Sequence, residues 1–302
     1  MRILAADGLA PKAVERLKTL GHEVVEQHYE QPEVGAAIRD FDIVIVRSAT
    51  KVKEPEIDAA KGSRLKLIIR GGVGLDNIAV AYAKENGIDV KNTPKSPSNA
   101  VAELAIAMLF SCARNISIAG HTMREEQWEK KAYSKGFELA GKTMGIIGYG
   151  KIGQCVGKKA QALGMNVLGT VHRNKPEGCE CETMKFVPMD EMLAGSDFIV
   201  LCCPAADKPI IDKESIAKMK DGVTIINVSR GSNLDEEAVL EGLNSGKIKA
   251  AGIDVWMSEK QANWELAKHP AVTPTPHIGA GTKEAQARIG DEILEIIENY
   301  EV

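Results

Sequence analysis

The sequence predicts an α/β protein of two domains, each built on a doubly wound parallel sheet, the smaller one discontinuous. Short apolar runs alternate with helical patterns along the whole length, the order that builds parallel sheets from strand, helix and strand. At 302 residues and 44% hydrophobic content, the chain is long for a single core, which favours two. The last helical pattern, residues 282–300, has no strand after it, so it is expected to return to the N-terminal sheet.

In chain order, RILAAD (2–7) reads as a strand. A helix from Pro11 follows, with Ala13, Val14, Leu17 and Leu20 on one face, and then the strands HEVVE, DIVIVRS (42–48) and LKLIIR (65–70). The segment Ser98–Ala119 is nearly uncharged in its middle and rich in Ala and Leu, which predicts one long buried helix. Six strand candidates follow: TMGIIG, NVLGTV, DFIVLCC, VTIINVS, AAGIDV and VTPTPH, between Thr143 and His277. They predict the larger sheet. In the terminal helix Ile289, Ile293, Ile296 and Ile297 lie three and four apart. The expected domains are 1–94 with 281–302, and 95–280.

Lys and Arg total 38 against 42 Asp and Glu, a net charge of −4 without long single-sign runs. That balance gives no support for nucleic acid or an anionic membrane as partner and points to a small molecule. The N-terminal MRILAADGLA lacks the apolar core of a signal peptide, so a cytoplasmic protein is expected. Cys112, Cys155, Cys179, Cys181, Cys202 and Cys203 match neither a paired CxxC zinc arrangement nor a secreted disulfide framework, and no metal site is expected.

GIIGYGKIGQCVG holds Gly148, Gly150 and Gly153 in GxGxxG spacing, directly after an apolar strand and before a helix. In that setting Gly148 permits a tight turn, Gly150 lets backbone approach a pyrophosphate, and Gly153 lets helix and strand pack closely. The anion then meets unpaired N–H groups at the helix N-terminus. A dinucleotide is the implied cofactor, and the larger domain reads as Rossmann-like.

Ligands of open parallel sheets bind outside the carboxyl ends of the strands. There the larger domain delivers the Gly148 loop, Val171-His172-Arg173, Cys202-Cys203-Pro204, Val228-Ser229-Arg230, Asp254 and His277. The smaller delivers Asp7, Arg47-Ser48, and Arg70 followed by Gly71-Gly72-Val73-Gly74. Arginine, carboxylate and histidine beside a nicotinamide are the parts needed to reduce a 2-oxo acid or oxidise a 2-hydroxy acid. Arg230 grips the substrate carboxylate with its planar fork. His277 exchanges the proton of the substrate oxygen, as a group that ordinarily titrates near neutrality. Glu259 is the candidate carboxylate that holds the imidazole in one tautomer.

These blocks resemble the D-isomer-specific 2-hydroxyacid dehydrogenases. VRSATKV, IIRGGVGLDNI, NTPKSPSNAVAELAIAMLF, GKTMGIIGYGKIG, INVSRGSNLDEEAV, GIDVW and TPHIGAGTKEAQ stand in that family's order over essentially the whole chain. The resemblance implies a catalytic triad of Arg230, Glu259 and His277. It also implies a flavodoxin-like substrate domain, and a homodimer pairing through the helix after Ser98. The implied nucleotide contacts are Gly148, Tyr149, Gly150, Lys151, Ile152, Gly153, His172, Arg173, Cys203, Pro204, Ser229, Asp254 and Gly279, with Asp254 near the nicotinamide carboxamide. The substrate set is Arg47, Ser48, Arg70, Gly72, Val73 and Gly74, with Arg230 and His277.

The N-terminal blocks look most similar to the branch acting on 3-phosphoglycerate in serine biosynthesis, in a short form without a regulatory domain. A simple 2-oxo acid has one carboxylate, served by Arg230 and the N–H groups of Gly72–Gly74, so further cations at Arg47 and Arg70 suggest a second anionic group, such as phosphate. Glyoxylate or hydroxypyruvate reduction is the alternative. A nucleotide-sensing binding protein of corepressor type, which has a similar fold, is the alternative from another class.

The chain departs from the family in four places, one of them a short insert between Glu259 and His277 that is expected to reshape the loop covering the site. Glu259-Lys260 replaces the usual Glu-Pro, Pro204-Ala205-Ala206 replaces Pro-Leu-Thr, and Val171 stands where an acid would bind the adenosine ribose. A neutral residue followed by His172 and Arg173 removes repulsion toward a 2′-phosphate and adds donors. This places NADP(H), or use of both NAD(H) and NADP(H), slightly ahead of NAD(H) alone.

Overall fold

A computed structural model describes residues 1–170, 178, 180–258 and 261–300. The chain divides into two compact units, Met1–Ser98 with Ala280–Val302, and Asn99–Gly279.

The first unit alternates β1 (Arg2–Ala5), α1 (Pro11–Thr19), β2 (Glu23–Glu26), α2 (Gln31–Ala37), β3 (Ile43–Val46), α3 (Glu54–Ala59), β4 (Leu67–Arg70), α4 (Val80–Glu85) and β5 (Asp89–Asn92). Its sheet is parallel in the order β2-β1-β3-β4-β5. The central strand β3, IVIV, is buried at every residue, as expected of a strand covered on both faces. β5 has no counterpart in the sequence reading. Its residues DVKN alternate exposed and half-buried at the sheet edge, so no apolar run marks it.

The second unit opens with α5 (Ser98–Arg114), α6 (Ile116–Arg124) and α7 (Lys130–Tyr133). The single helix expected over 98–119 is two helices meeting at a 70° bend. Asn115 at the joint has φ 55°, the left-handed region that asparagine tolerates better than other non-glycine residues. The unit continues with β6 (Thr143–Ile147), α8 (Lys151–Ala162), β7 (Asn166–Thr170), β8 (Met184–Phe186), α9 (Met189–Gly195), β9 (Phe198–Leu201), α10 (Lys213–Lys218) and β10 (Val223–Asn227). It closes with α11 (Glu236–Ser245), β11 (Ile248–Ile253), α12 (Trp264–Lys268) and β12 (Val272–Pro274). The sheet order is β12-β11-β10-β9-β6-β7-β8, all parallel. The strand β8, three residues long at the edge, is the one the apolar pattern misses.

The final helix α13 (Lys283–Glu298) belongs to the first unit. Its Ile289, Ile293 and Ile297 pack into a cluster with Ile3, Leu17, Ile43, Ile45, Leu67 and Ile69, while Ile296 is only partly buried. Ser96 fastens it further: Ser96 Oγ donates toward the Arg288 carbonyl (3.0 Å) and Glu292, and Arg288 Nε donates to the Ser96 carbonyl (3.1 Å). Among the described residues no single helix is long and apolar enough to cross a membrane.

Candidate active site

In the second unit the strand order reverses between β6 and β9, and that switch point is where an open sheet leaves a crevice. The glycine loop stands there. Gly148 has φ +90°, and a Cβ on it would lie 2.7 Å from the backbone of Cys203, so the loops after β6 and β9 touch through glycine alone. A Cβ on Gly153 would meet the Gly148 carbonyl at 2.4 Å. A Cβ on Gly150, by contrast, would meet nothing within 4 Å. Gly150 is the N-cap of α8, which has no side-chain cap and no acid in its first turn. Open space before uncapped N–H groups fits a dinucleotide phosphate.

Lys151 is exposed at the first position of α8, and Ile152 is partly buried against the core. Tyr149 is 5% exposed, with its ring edge-on to Phe186 at 5.2 Å. Expected as a nucleotide contact, it turns its side chain into the core, which leaves its backbone as what it offers a ligand. Val171, His172 and Arg173 begin where β7 ends at Thr170 and lie outside the described residues.

Beyond the switch point, β10 ends in Asn227 and leads into Ser229 and Arg230. Asn227 Oδ1 accepts from the Ser229 N–H (3.1 Å) and hydroxyl (2.8 Å), and Asn227 Nδ2 donates to the Arg230 carbonyl (2.9 Å). Arg230 Nη1 donates to the Ser229 carbonyl at 2.6 Å. The following Gly231 is pressed on Trp256, where a Cβ would come within 2.0 Å of the Trp256 carbonyl carbon.

The strand β11 delivers Asp254, which is 1% exposed. Its Oδ1 accepts from the Thr275 hydroxyl (2.6 Å) and the Ile278 N–H (2.8 Å), and its Oδ2 from the Gly279 N–H (2.9 Å). Its carbonyl accepts from the His277 N–H at 2.8 Å. This carboxylate, expected beside the nicotinamide, organises the loop after β12. His277, with φ 55°, is held in the left-handed region by the bonds on either side of it. Glu259, the expected partner carboxylate, lies outside the described residues.

Burial raises the thiols of Cys202 and Cys203 at the end of β9. Neither is a ready nucleophile, and the same holds for Cys112, pushed up to about 12 by burial.

The first unit builds its own strand-end cluster at the β1/β3 switch point. Asp7 accepts from the Arg47 N–H (2.6 Å), the Thr50 N–H (3.1 Å) and the Thr50 hydroxyl (2.7 Å). Asn77 Nδ2 donates to the carbonyls of Arg47 and Thr50, each at 2.7 Å. The Arg47–Thr50 turn is therefore pinned from both sides, with Ser48 half-buried within it. Among the described residues the Arg47 guanidinium has no carboxylate partner. One strand along, Arg70 Nη1 donates to the Gly71 carbonyl (3.3 Å) and lies over Gly72, where a Cβ would come within 1.4 Å of it. Val73 is exposed and Gly74 half-buried in the same loop.

Asn227, Thr275 and Asn77 are parts of these clusters that the motifs did not single out. Asn227 and Thr275, at or just after the ends of β10 and β12, had as their signal a polar residue closing an apolar run; Asn77, well beyond β4, had none.

The family model for the NAD-binding domain of D-isomer-specific 2-hydroxyacid dehydrogenases matches residues 106–279. Hydroxypyruvate reductase of Thermotoga maritima is 47% identical over 280 residues, covering 91% of this chain and 90% of that protein. D-3-phosphoglycerate dehydrogenase of Methanocaldococcus jannaschii is 40% identical over 300 residues, 98% of this chain; the match spans only 57% of that longer relative. Among solved structures, D-lactate dehydrogenase from Aquifex aeolicus, in complex with NAD and lactic acid, superposes with a TM-score of 0.86 at 28% identity, covering 99% of this chain and 94% of that one. Glyoxylate reductase from Paecilomyes thermophila gives 0.87 at 30% identity with the same coverage. The chain belongs to the D-isomer-specific 2-hydroxyacid dehydrogenase family and is an oxidoreductase that acts on a CH–OH group with a nicotinamide cofactor.

Proposed function

We propose that the protein interconverts a three-carbon D-2-hydroxy acid and its 2-oxo acid, with 3-phosphoglycerate and 3-phosphohydroxypyruvate as the preferred pair. The observation that carries the substrate class is the pinned Arg47, whose guanidinium has no acidic partner among the described residues and which leaves β3 beside the Arg70 end of β4. A cation fixed by its backbone while its fork stays available suits a second anionic group on the substrate.

Arg230 binds the substrate carboxylate and polarises the adjacent carbonyl. His277 holds and transfers the proton at the C2 oxygen, and Glu259 sets its tautomer. Gly148–Gly153 and the Cys203-Pro204 loop would hold the nicotinamide nucleotide, whose chemistry when bound would be to give or take the hydride. Lys151, at the head of α8, adds positive charge where the phosphates meet the helix.

A second reading, reduction of unphosphorylated hydroxypyruvate, is favoured by the 47% relative matched over 90% of its length. Initial rates with 3-phosphohydroxypyruvate, hydroxypyruvate, glyoxylate and pyruvate, each against NADH and NADPH, separate the two. The phosphorylated acid is expected to give the highest kcat/KM; a higher value for hydroxypyruvate overturns the preference. For the nucleotide, Val171-His172-Arg173 favours acceptance of NADPH. Arg173→Ala is expected to lower kcat/KM with NADPH at least tenfold more than with NADH, about 1.4 kcal/mol, and equal losses would refute it.

A further inference from the structure

Asn233 is wholly buried in the turn Gly231–Asn233 that follows β10, and both polar atoms of its side chain have partners. Its Oδ1 accepts from the Ala206 N–H at 2.9 Å. Its Nδ2 donates to the Pro204 carbonyl at 3.0 Å and to Ser229 Oγ at 3.1 Å, with the Cys203 carbonyl and Sγ each at 3.5 Å. Its own carbonyl accepts from the N–H groups of Ile210 (2.9 Å) and Ile211 (3.0 Å). The amide stands one way only: turned over, it would set carbonyl against carbonyl at Pro204 and N–H against N–H at Ala206.

The Ser229 hydroxyl carries the link onward. It accepts from Asn233 and donates to Asn227 Oδ1 at 2.8 Å, and Asn227 Nδ2 in turn donates to the Arg230 carbonyl at 2.9 Å. Ser229 is 4% exposed, and its hydroxyl links Asn233 to Asn227 in this relay. A continuous donor–acceptor path therefore runs from the loop after β9, which abuts Gly148, to the backbone of Arg230.

We propose that Asn233 is a positioning residue that couples the nucleotide-facing loop Cys203–Ala206 to the alignment of Arg230 for the 2-oxo acid. The proposal rests on the reading of Arg230 as the carboxylate-binding residue. Buried networks of this kind act as a unit because a partner left unsatisfied in a low dielectric is costly. An apolar side chain at position 233 would remove at once the partners of the Pro204 carbonyl and the Ala206 N–H and the donor to Ser229 Oγ, leaving Ser229 tied to Asn227 alone and loosening both loops.

The test uses the full-length protein and the variants Asn233→Leu, Asn233→Asp, Ser229→Ala, the double variant Asn233→Leu/Ser229→Ala, and Arg230→Ala. NADH dissociation constants come from fluorescence titration, and kcat and KM from initial rates with 3-phosphohydroxypyruvate and hydroxypyruvate. Asn233→Leu is expected to raise both the NADH Kd and the KM for the 2-oxo acid at least tenfold. Asn233→Asp keeps the acceptor for Ala206 but loses both donors, so it is expected to raise the 2-oxo acid KM more than the NADH Kd. This variant decides the matter should the leucine variant not fold. Ser229→Ala is expected to raise the KM alone and in the native background, yet to add less than twofold on top of Asn233→Leu. Kd and KM within twofold of native in both Asn233 variants, whatever their melting temperatures, would overturn the proposal, as would full additivity in the double variant. Arg230→Ala separates the two claims. Retained turnover refutes the role of Arg230, whereas an inactive Arg230→Ala beside a native-like Asn233→Leu refutes that of Asn233 alone.

Discussion

Asp7, Asp42 and Asp254 all aim a carboxylate at backbone N–H groups near a strand end, which sets local geometry before any ligand arrives. Asp42 is the case in which charge decides stability. It accepts from the Arg2 N–H (2.6 Å) and from the Arg64 fork (2.8 and 2.9 Å). Burial alone would raise its carboxyl, but the Arg64 and Arg2 bonds outweigh that and hold it below the ordinary carboxylate range. A carboxyl lowered in the folded state adds stability above its unfolded value of about 4, and that stability is lost as pH falls through the lowered folded value. Asp42→Asn is therefore expected to cost about 1 kcal/mol at pH 7, about 2–4 °C in melting temperature, with the gap to native narrowing toward pH 3. Thermal melts at both pH values check this, and a gap independent of pH would contradict it. At this scale the sequence made the placement of Arg230, His277, Arg47 and Arg70 legible, because each closes or follows an apolar run that ends at the carboxyl edge of its sheet. It left the holders illegible. Asn233 and Asn77 act through backbone atoms distant in sequence, and nothing in local pattern marks such a partner.

Elements were legible wherever burial was two-sided. Strands such as IVIV and FIVL are apolar at every position because both sheet faces are covered, and the helices α1 and α13 show their buried residues at three- and four-residue spacing. Edge strands β5 and β8 were not, since an edge exposes alternate side chains to water and its composition resembles a loop. The break between α5 and α6 was missed for a different reason. Composition favours helix on both sides of Asn115, and only its left-handed backbone ends the first helix. Asn115→Gly is accordingly expected to keep native stability to within about 0.5 kcal/mol, while Asn115→Val loses about 1–2 kcal/mol. Chemical denaturation of the two variants measures the difference, and equal stability would show that the joint carries no backbone strain.

At the scale of the whole molecule, the discontinuous first unit makes the ends of the chain interdependent while the second unit is one unbroken segment. Residues 99–279 alone are expected to fold and bind nucleotide. Residues 1–98 alone would lack Ile289, Ile293 and Ile297, each about 1.5–3 kcal/mol of burial, against a total domain stability of about 5–15 kcal/mol. That fragment is expected to lack cooperative melting by circular dichroism and to regain it when residues 280–302 are joined through a flexible linker; a cooperative transition in 1–98 alone would contradict the packing account. In the proposed function, Arg47, pinned at the end of β3, and Arg70, at the neighbouring end of β4, select the substrate of the hydride transfer. The most direct test of that selection is the ratio of kcat/KM for 3-phosphohydroxypyruvate to that for hydroxypyruvate, in the native protein and in Arg47→Ala. The account predicts a native ratio above one that falls about 10- to 100-fold in the variant, the loss of a charge-assisted pair of about 1.5–3 kcal/mol. An unchanged ratio, with both substrates affected alike, would contradict it.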